Sequence, residues 1–204
     1  MSPMYETETA PLGHVFARRQ VAPLSRRRPA PSAWPPGSGD CLHNRRAGRL
    51  RAMDSFRAAS GDDGAVIETF AVLANPAEPG RYFERWGRWG DFGVIAETGG
   101  EPSGAAWARL FSWRELRDRR GSPEVPEIAI AVEQAFRGRG LGTALLRELM
   151  NAAGGLGYPA LDLSVSTSNR AALAVYTKLG FKKVSGEARL WMRATIGKGG
   201  ACAS

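Results

Sequence analysis

The chain has 204 residues, 28 Lys and Arg against 20 Asp and Glu, a formal net charge of +8 and 43% hydrophobic residues, which suits one domain with a real core. No apolar run approaches the roughly 18 to 20 residues of a membrane-spanning helix, and Cys41 and Cys202, near opposite ends, offer no disulfide framework. The only histidines, His14 and His43, precede the periodic part of the sequence, so a zinc site of ordinary spacing is excluded and no metal is expected.

Residues 1–52 carry nine arginines, from Arg18 to Arg51, against Glu6, Glu8 and Asp40, and seven of the 13 prolines. Such a segment lacks the apolar surface that offsets conformational entropy, and it reads as a disordered, basic leader. A nucleic-acid or membrane-surface tail, a targeting peptide, and a true translation start at Met53 all fit it.

From Met53 the pattern becomes periodic. Ser55 to Ala59 reads as a strand, and Asp62 and Asp63 open a helix whose stripe is Ala65, Val66, Thr69, Phe70 and Leu73. Asn75-Pro76 ends it. Tyr82, Phe83 and Trp86 suggest a second helix closed by Gly87 to Gly90. Asp91 to Glu97 is a strand, Gly99-Gly100 a hairpin turn, and Pro102 to Trp113 a longer strand that alternates between two faces. A charged loop, Arg114 to Ser122, precedes the strand Glu127 to Val132. A glycine-rich loop, Arg137 to Gly142, then leads into a helix with Leu145, Leu146, Leu149, Met150 and Ala153 on one stripe, ended by Gly154-Gly155. Leu161 to Ser166 is a strand, Ser168 or Asn169 caps a helix through Leu179, and Phe181 to Val184 with Arg189 to Ala194 form a closing hairpin. The order β-α-α-β-β-β-α-β-α-β-β predicts an α/β (α+β) domain over residues 53–195, a mixed central sheet flanked by helices, with a flexible tail over 196–204.

A strand that runs through a glycine-rich turn into a helix holds phosphates, because glycine lets N–H groups approach the anion and the helix N-terminus adds partial positive charge. The Walker pattern is absent, and the dinucleotide fingerprint fails because Thr143 and Leu145 stand where its third glycine is needed. What the loop does contain is R-x-x-G-x-G, at Arg137, Gly140 and Gly142. One strand later comes N-x-x-A-x-x-x-Y-x-x-x-G-F, at Asn169, Ala172, Tyr176, Gly180 and Phe181. In these two motifs the sequence resembles the GNAT superfamily of acyl-CoA-dependent N-acyltransferases, over about residues 54–195 and most closely over 124–184.

The resemblance implies acetyl-CoA as co-substrate and a site for each of its parts. The main chain of Ile130, Ala131 and Val132 would hold the pantetheine and thioester. The amides of Arg137, Gly138, Arg139, Gly140, Leu141, Gly142 and Thr143 would hold the pyrophosphate, with the two arginine side chains adding charge. Asn169 would contact the pantetheine arm, and Tyr176 would protonate the departing thiolate. Asn169, Leu173 and Tyr176 share one helical face. Glu127 is the candidate general base, with Glu124, Glu133 and Asp162 as competitors and a water chain as the alternative.

The resemblance also implies direct acetyl transfer, since no cysteine is placed to carry the group. The acceptor is then a primary amine of a small molecule or amino-acid-like compound, selected by residues 62–90 and 114–126, where both signs of charge occur. A peptide acceptor, a non-catalytic acyl-CoA sensor and a nucleic-acid-binding protein acting through the leader are the other readings. The expected setting is cytoplasmic, without membrane or nucleic-acid partners, and the closing hairpin is a plausible homodimer edge.

Overall fold

The computed structural model describes residues 54–116 and 121–197. The expected leader and most of the expected tail lie outside these residues, as do residues 117–120 of the charged loop. Seven strands form one sheet in the order β1-β2-β3-β4-β5-β7-β6. They are β1 (Asp54–Ala58), β2 (Phe92–Thr98), β3 (Glu101–Arg109), β4 (Glu127–Val132), β5 (Ala160–Ser166), β6 (Lys182–Ser185) and β7 (Arg189–Thr195). The helices are α1 (Gly64–Ala74), α2 (Gly80–Phe83), α3 (Leu141–Gly155) and α4 (Arg170–Lys178). The element order and mixed sheet are those the sequence predicts. No helix among the described residues is long and apolar enough to cross a membrane.

Each face of the sheet builds its own core. On one, Leu145, Leu146 and Leu149 of α3 and Tyr176 of α4 pack on Val94, Ala106, Ile128, Leu161 and Leu163. On the other, Ile67, Phe70 and Ala71 of α1 pack with Tyr82 on Ile95, Trp107 and Phe111. The period-2 alternation of the strands divides their side chains between these two cores.

Four local expectations change. The buried stripe of α1 is Ile67, Phe70 and Ala71 with Val66 half-buried at its edge, and Leu73 is 46% exposed, because Ala65 and Leu73 lie off the arc that meets the sheet. The second helix is a single turn: Glu84 leaves helical geometry, Arg85 takes φ 54°, and Trp86 donates its indole N–H to Ser60 O at 2.7 Å. Strand β3 stops at Arg109, where β4 begins opposite it at Glu127, and Ser112 and Glu115 then form a turn that leaves Trp113 73% exposed. Helix α3 continues through Gly154 and Gly155, and left-handed Gly157 (φ 76°) follows its end.

The entry to α1 is held electrostatically. The Asp63 carboxylate accepts from Ser60 N at 2.6 Å and from Arg57 Nη1 and Nη2 at 2.9 and 2.7 Å. The Arg57 bonds, with the Ser60 bonds behind them, outweigh burial and lower the Asp63 pKa from its ordinary 3.8 to about 2. A depressed carboxylate stabilises the fold above its unfolded pKa, and that contribution is lost as pH falls through the folded one. Asp63→Asn is therefore expected to lower the melting temperature at pH 7, and the gap to the parent should close between about pH 4 and pH 2. Thermal melts across that range test this.

Candidate active site

The parallel pair at the middle of the sheet is where the site forms. Strands β4 and β5 are in register only at Glu127 and Asp162, with Asp162 N donating to Pro126 O at 2.9 Å. Beyond that point they part, while the other edge of β4 stays paired with β3 through Val132. The edge of Ile130, Ala131 and Val132 that faces β5 therefore has backbone groups with no ladder partner, a gap in an otherwise continuous sheet.

At the far end of β4 the chain makes a 3-10 turn, Gln134–Phe136, and enters the glycine loop. Gly138 (φ 73°) and Gly140 (φ 87°) are both left-handed, and Gly140 is the N-cap of α3. A Cβ on either would meet nothing within 4 Å, so glycine is required here by conformation and not by crowding. The loop aims its amides outward. None of the N–H groups from Gly138 to Thr143 finds an acceptor among the described residues. Arg137 instead folds back, donating Nε–H to Val132 O at 2.9 Å and Nη1 to Gln134 Oε1 at 3.3 Å. It fastens the loop to the end of β4, while the Arg139 guanidinium lies 5.4 Å from the Phe136 ring centre.

Asn169 caps α4, its Oδ1 accepting from Ala172 N at 3.1 Å. This occupies one side-chain atom and leaves the amide NH2 to face outward. Tyr176 is buried against Phe181, ring centres 5.7 Å apart. Its hydroxyl meets no hydrogen-bond partner among the described residues, and burial raises its pKa to about 12. The group stays protonated through the neutral range.

Glu127 is 2% exposed. Its Oε1 accepts from the Tyr82 hydroxyl at 2.5 Å and its Oε2 from Arg81 Nη2 at 3.1 Å. Burial, with the charge of Glu127 as the second cause, pushes the Tyr82 pKa up, so Tyr82 remains a donor. Arg81 stacks on Phe111, 3.7 Å from the ring centre. Beside this lies a second buried pair, Arg109 with Asp91 at 3.0 and 2.7 Å, and Arg109 also donates to Arg81 O and Glu84 O. On β5, in register with Glu127, Asp162 is held by Arg193 through two bonds of 2.6 Å. Of the other carboxylates considered, Glu124 is exposed and Glu133 precedes the 3-10 turn. Among the described residues no cluster of His, Cys, Asp and Glu is arranged to hold a metal.

Tyr82, Arg81, Arg109 and Asp91 are the polar residues of this region that sequence reasoning passes over. A signal existed for one: Arg109 falls on the Trp107 and Phe111 side of an apolar strand, where a guanidinium needs a buried partner.

The family model described as acetyltransferase (GNAT) family matches residues 62–181. A mycothiol acetyltransferase of Nocardioides sp. is 30% identical over 155 residues, 65% of this chain and 52% of that protein. The N-alpha-acetyltransferase RimI of Mycobacterium tuberculosis is 50% identical over 56 residues, 27% of this chain and 33% of that protein. The chain thus spans about half the length of the first relative and a third of the second. Among solved structures, the ribosomal-protein-S18-alanine N-acetyltransferase of Escherichia coli has a TM-score of 0.57 at 20% identity, covering 74% of this chain and 99% of that one. A Salmonella typhimurium acetyltransferase, yncA, solved with acetyl-CoA, has a TM-score of 0.56 at 19% identity with the same coverage. These two likenesses are of fold.

Proposed function

Because the chain belongs to the acetyltransferase (GNAT) family, whose co-substrate is acetyl-CoA, we propose that it moves an acetyl group from acetyl-CoA directly to the primary amine of a small-molecule or amino-acid-like acceptor. The observation that carries this reading is continuity: the unpaired N–H groups from Gly138 to Thr143 lead into the edge of β4 at Ile130 to Val132 that has no strand partner, where Arg137 takes up only Val132 O. An anion fits the first and an extended amide-bearing arm fits the second.

Bound acetyl-CoA supplies a thioester whose C–S bond breaks as the bond from amine nitrogen to acetyl carbon forms, leaving CoA as its thiol. The residues of this chain hold and move the protons. The loop amides hold the pyrophosphate, and the free N–H on the gap side of β4 polarises the acetyl carbonyl. The Asn169 amide and the Tyr176 hydroxyl face the arm from the start and the last turn of α4, and Tyr176 gives its proton to the sulfur. The amine's proton passes through water and the Tyr82 hydroxyl to Glu127, whose charge Arg81 holds in place. Residues 54–197 contain no cysteine to carry the acetyl group, consistent with transfer inside a ternary complex. The similarity to an N-alpha-acetyltransferase over 56 residues supports one second reading, in which the acceptor is the α-amine of a peptide.

Tyr176→Phe tests the acid. It is expected to lower kcat by about 100-fold while the Kd for acetyl-CoA stays unchanged. Thiol release for the rate and isothermal titration for the affinity separate the two quantities. An unchanged rate would remove Tyr176 from the chemistry.

A further inference from the structure

At the gap the two faces of the sheet differ in chemistry. Toward α3 and α4, strands β5 and β7 present Leu161, Leu163, Val165, Met192 and Ala194, all in the core. On the opposite face the same strands present a polar ladder with the rungs Asp162 and Arg193, Ser164 and Trp191, Ser166 and Arg189. Lys182 of β6 stands opposite Arg193 on that face. Helix α1 packs over β3 and β4, and Trp191, although only 8% exposed, belongs to neither core. Asp162 is buried as well, whereas Ser164, Ser166 and Arg193 are half-buried and Arg189 and Lys182 exposed, so the open part of this face is its cationic rim.

The charge on this ladder is unbalanced. Asp162 is already matched by Arg193. Arg189 donates only to Ser164 Oγ, at 3.3 Å, and neither it nor Lys182 pairs with a carboxylate among the described residues. The face is also the one left for the acceptor. The glycine loop and the start of α4 border the gap from the other side, so an amine that attacks the thioester approaches over β5 and β7.

We propose that the acceptor carries an anionic group, a carboxylate or a phosphate, beside its amine, and that Arg189 holds this group on the β5–β7 face with Lys182 adding positive potential. A guanidinium fork matches either anion with two parallel bonds, and the Ser164 and Ser166 hydroxyls supply further donors at the same level. A polycationic acceptor would meet like charge here. The proposal rests on the acetyltransfer reading and narrows its substrate class.

The test offers the full chain, with and without CoA, a panel of amines in matched pairs: α-amino acids against their amides, and glucosamine 6-phosphate against glucosamine. Saturation-transfer NMR reads binding and thiol release from acetyl-CoA reads turnover. The charged member of a pair is expected to bind and react with an apparent affinity about tenfold higher or more. The pair that responds tells carboxylate from phosphate. In Arg189→Gln the preference should shrink to within about threefold, and Arg189→Lys should restore part of it, with KM for acetyl-CoA unchanged. Equal binding of both members, binding of neither, a preference that survives Arg189→Gln, or a rise in KM for acetyl-CoA instead would overturn the proposal. Absence of acetyl-CoA binding would instead overturn the acetyltransfer reading, and the NMR arm without CoA would still report the charge preference.

Discussion

Gly140→Asp is expected to weaken acetyl-CoA binding by about 100-fold or more while the chain stays folded. Two effects combine. Gly140 sits at φ 87°, where a side chain strains the backbone by roughly 1–2 kcal/mol. The larger effect is electrostatic: a carboxylate would stand among the outward-facing amides at the positive end of α3, competing for the donors that the pyrophosphate uses. Gly140→Ala separates the two. Because a Cβ there meets nothing within 4 Å, the alanine variant carries the conformational cost alone and should lose about tenfold or less. Isothermal titration of both variants, with circular dichroism as the folding control, checks the result. Equal losses would mean that loop shape, and not its array of donors, sets the affinity.

Arg109→Met should have the largest effect on stability. The Arg109 and Asp91 side chains are 1% and 0% exposed. Removing the cation leaves a buried carboxylate with only Arg88, 3.6 Å away, as a charged neighbour. Breaking such a pair costs about 3–5 kcal/mol, which lowers the melting temperature of a domain this size by roughly 10 °C or more. Changing Asp91 to Leu in the same chain should recover much of the loss, because a matched apolar pair avoids desolvated charge. Recovery of function should not follow, since Arg109 also donates to Arg81 O and Glu84 O. Those bonds hold the backbone of α2, which carries Tyr82 and Arg81 to Glu127. The double variant should be stable yet show a lowered kcat, because the groups that take the amine's proton are displaced. Thermal denaturation and steady-state kinetics on the same preparations read the two effects.

The parts of the fold that are legible in the sequence are those with short-range causes. The strand, glycine loop and helix from Glu127 to Gly155 are set by alternation, by glycines that permit positive φ, and by a leucine stripe. The cap at Asn169 follows from the preference of its amide for a free helix N–H. The stripe of α1 could not be phased from its residues, because Val66, Ile67, Phe70, Val72 and Leu73 nearly encircle the helix. Contact with β3 and β4 selects Ile67, Phe70 and Ala71. The end of β3 depends on where β4 begins opposite it, and no local signal carries that information.

The site divides along the same line. The loop and the Tyr176 helix are contiguous motifs, and their residues could be named in advance. The surroundings of Glu127 come from Tyr82 and Arg81, 45 and 46 residues away in sequence, and the ladder on β5 and β7 appears only once the register of Ser164 against Trp191 is fixed. The catalytic carboxylate candidate was therefore readable as a residue, whereas its engagement by two partners was not.

Amide hydrogen exchange of the full chain with and without saturating acetyl-CoA reads, residue by residue, the N–H groups proposed to hold the cofactor. New protection is predicted at Gly138 to Thr143, along Ile130 to Val132 and at the start of α4, with the β5–β7 ladder unchanged until an acceptor is added. Binding that protects none of the loop amides, or protection confined to another part of the chain, would mean that the glycine loop does not hold the pyrophosphate.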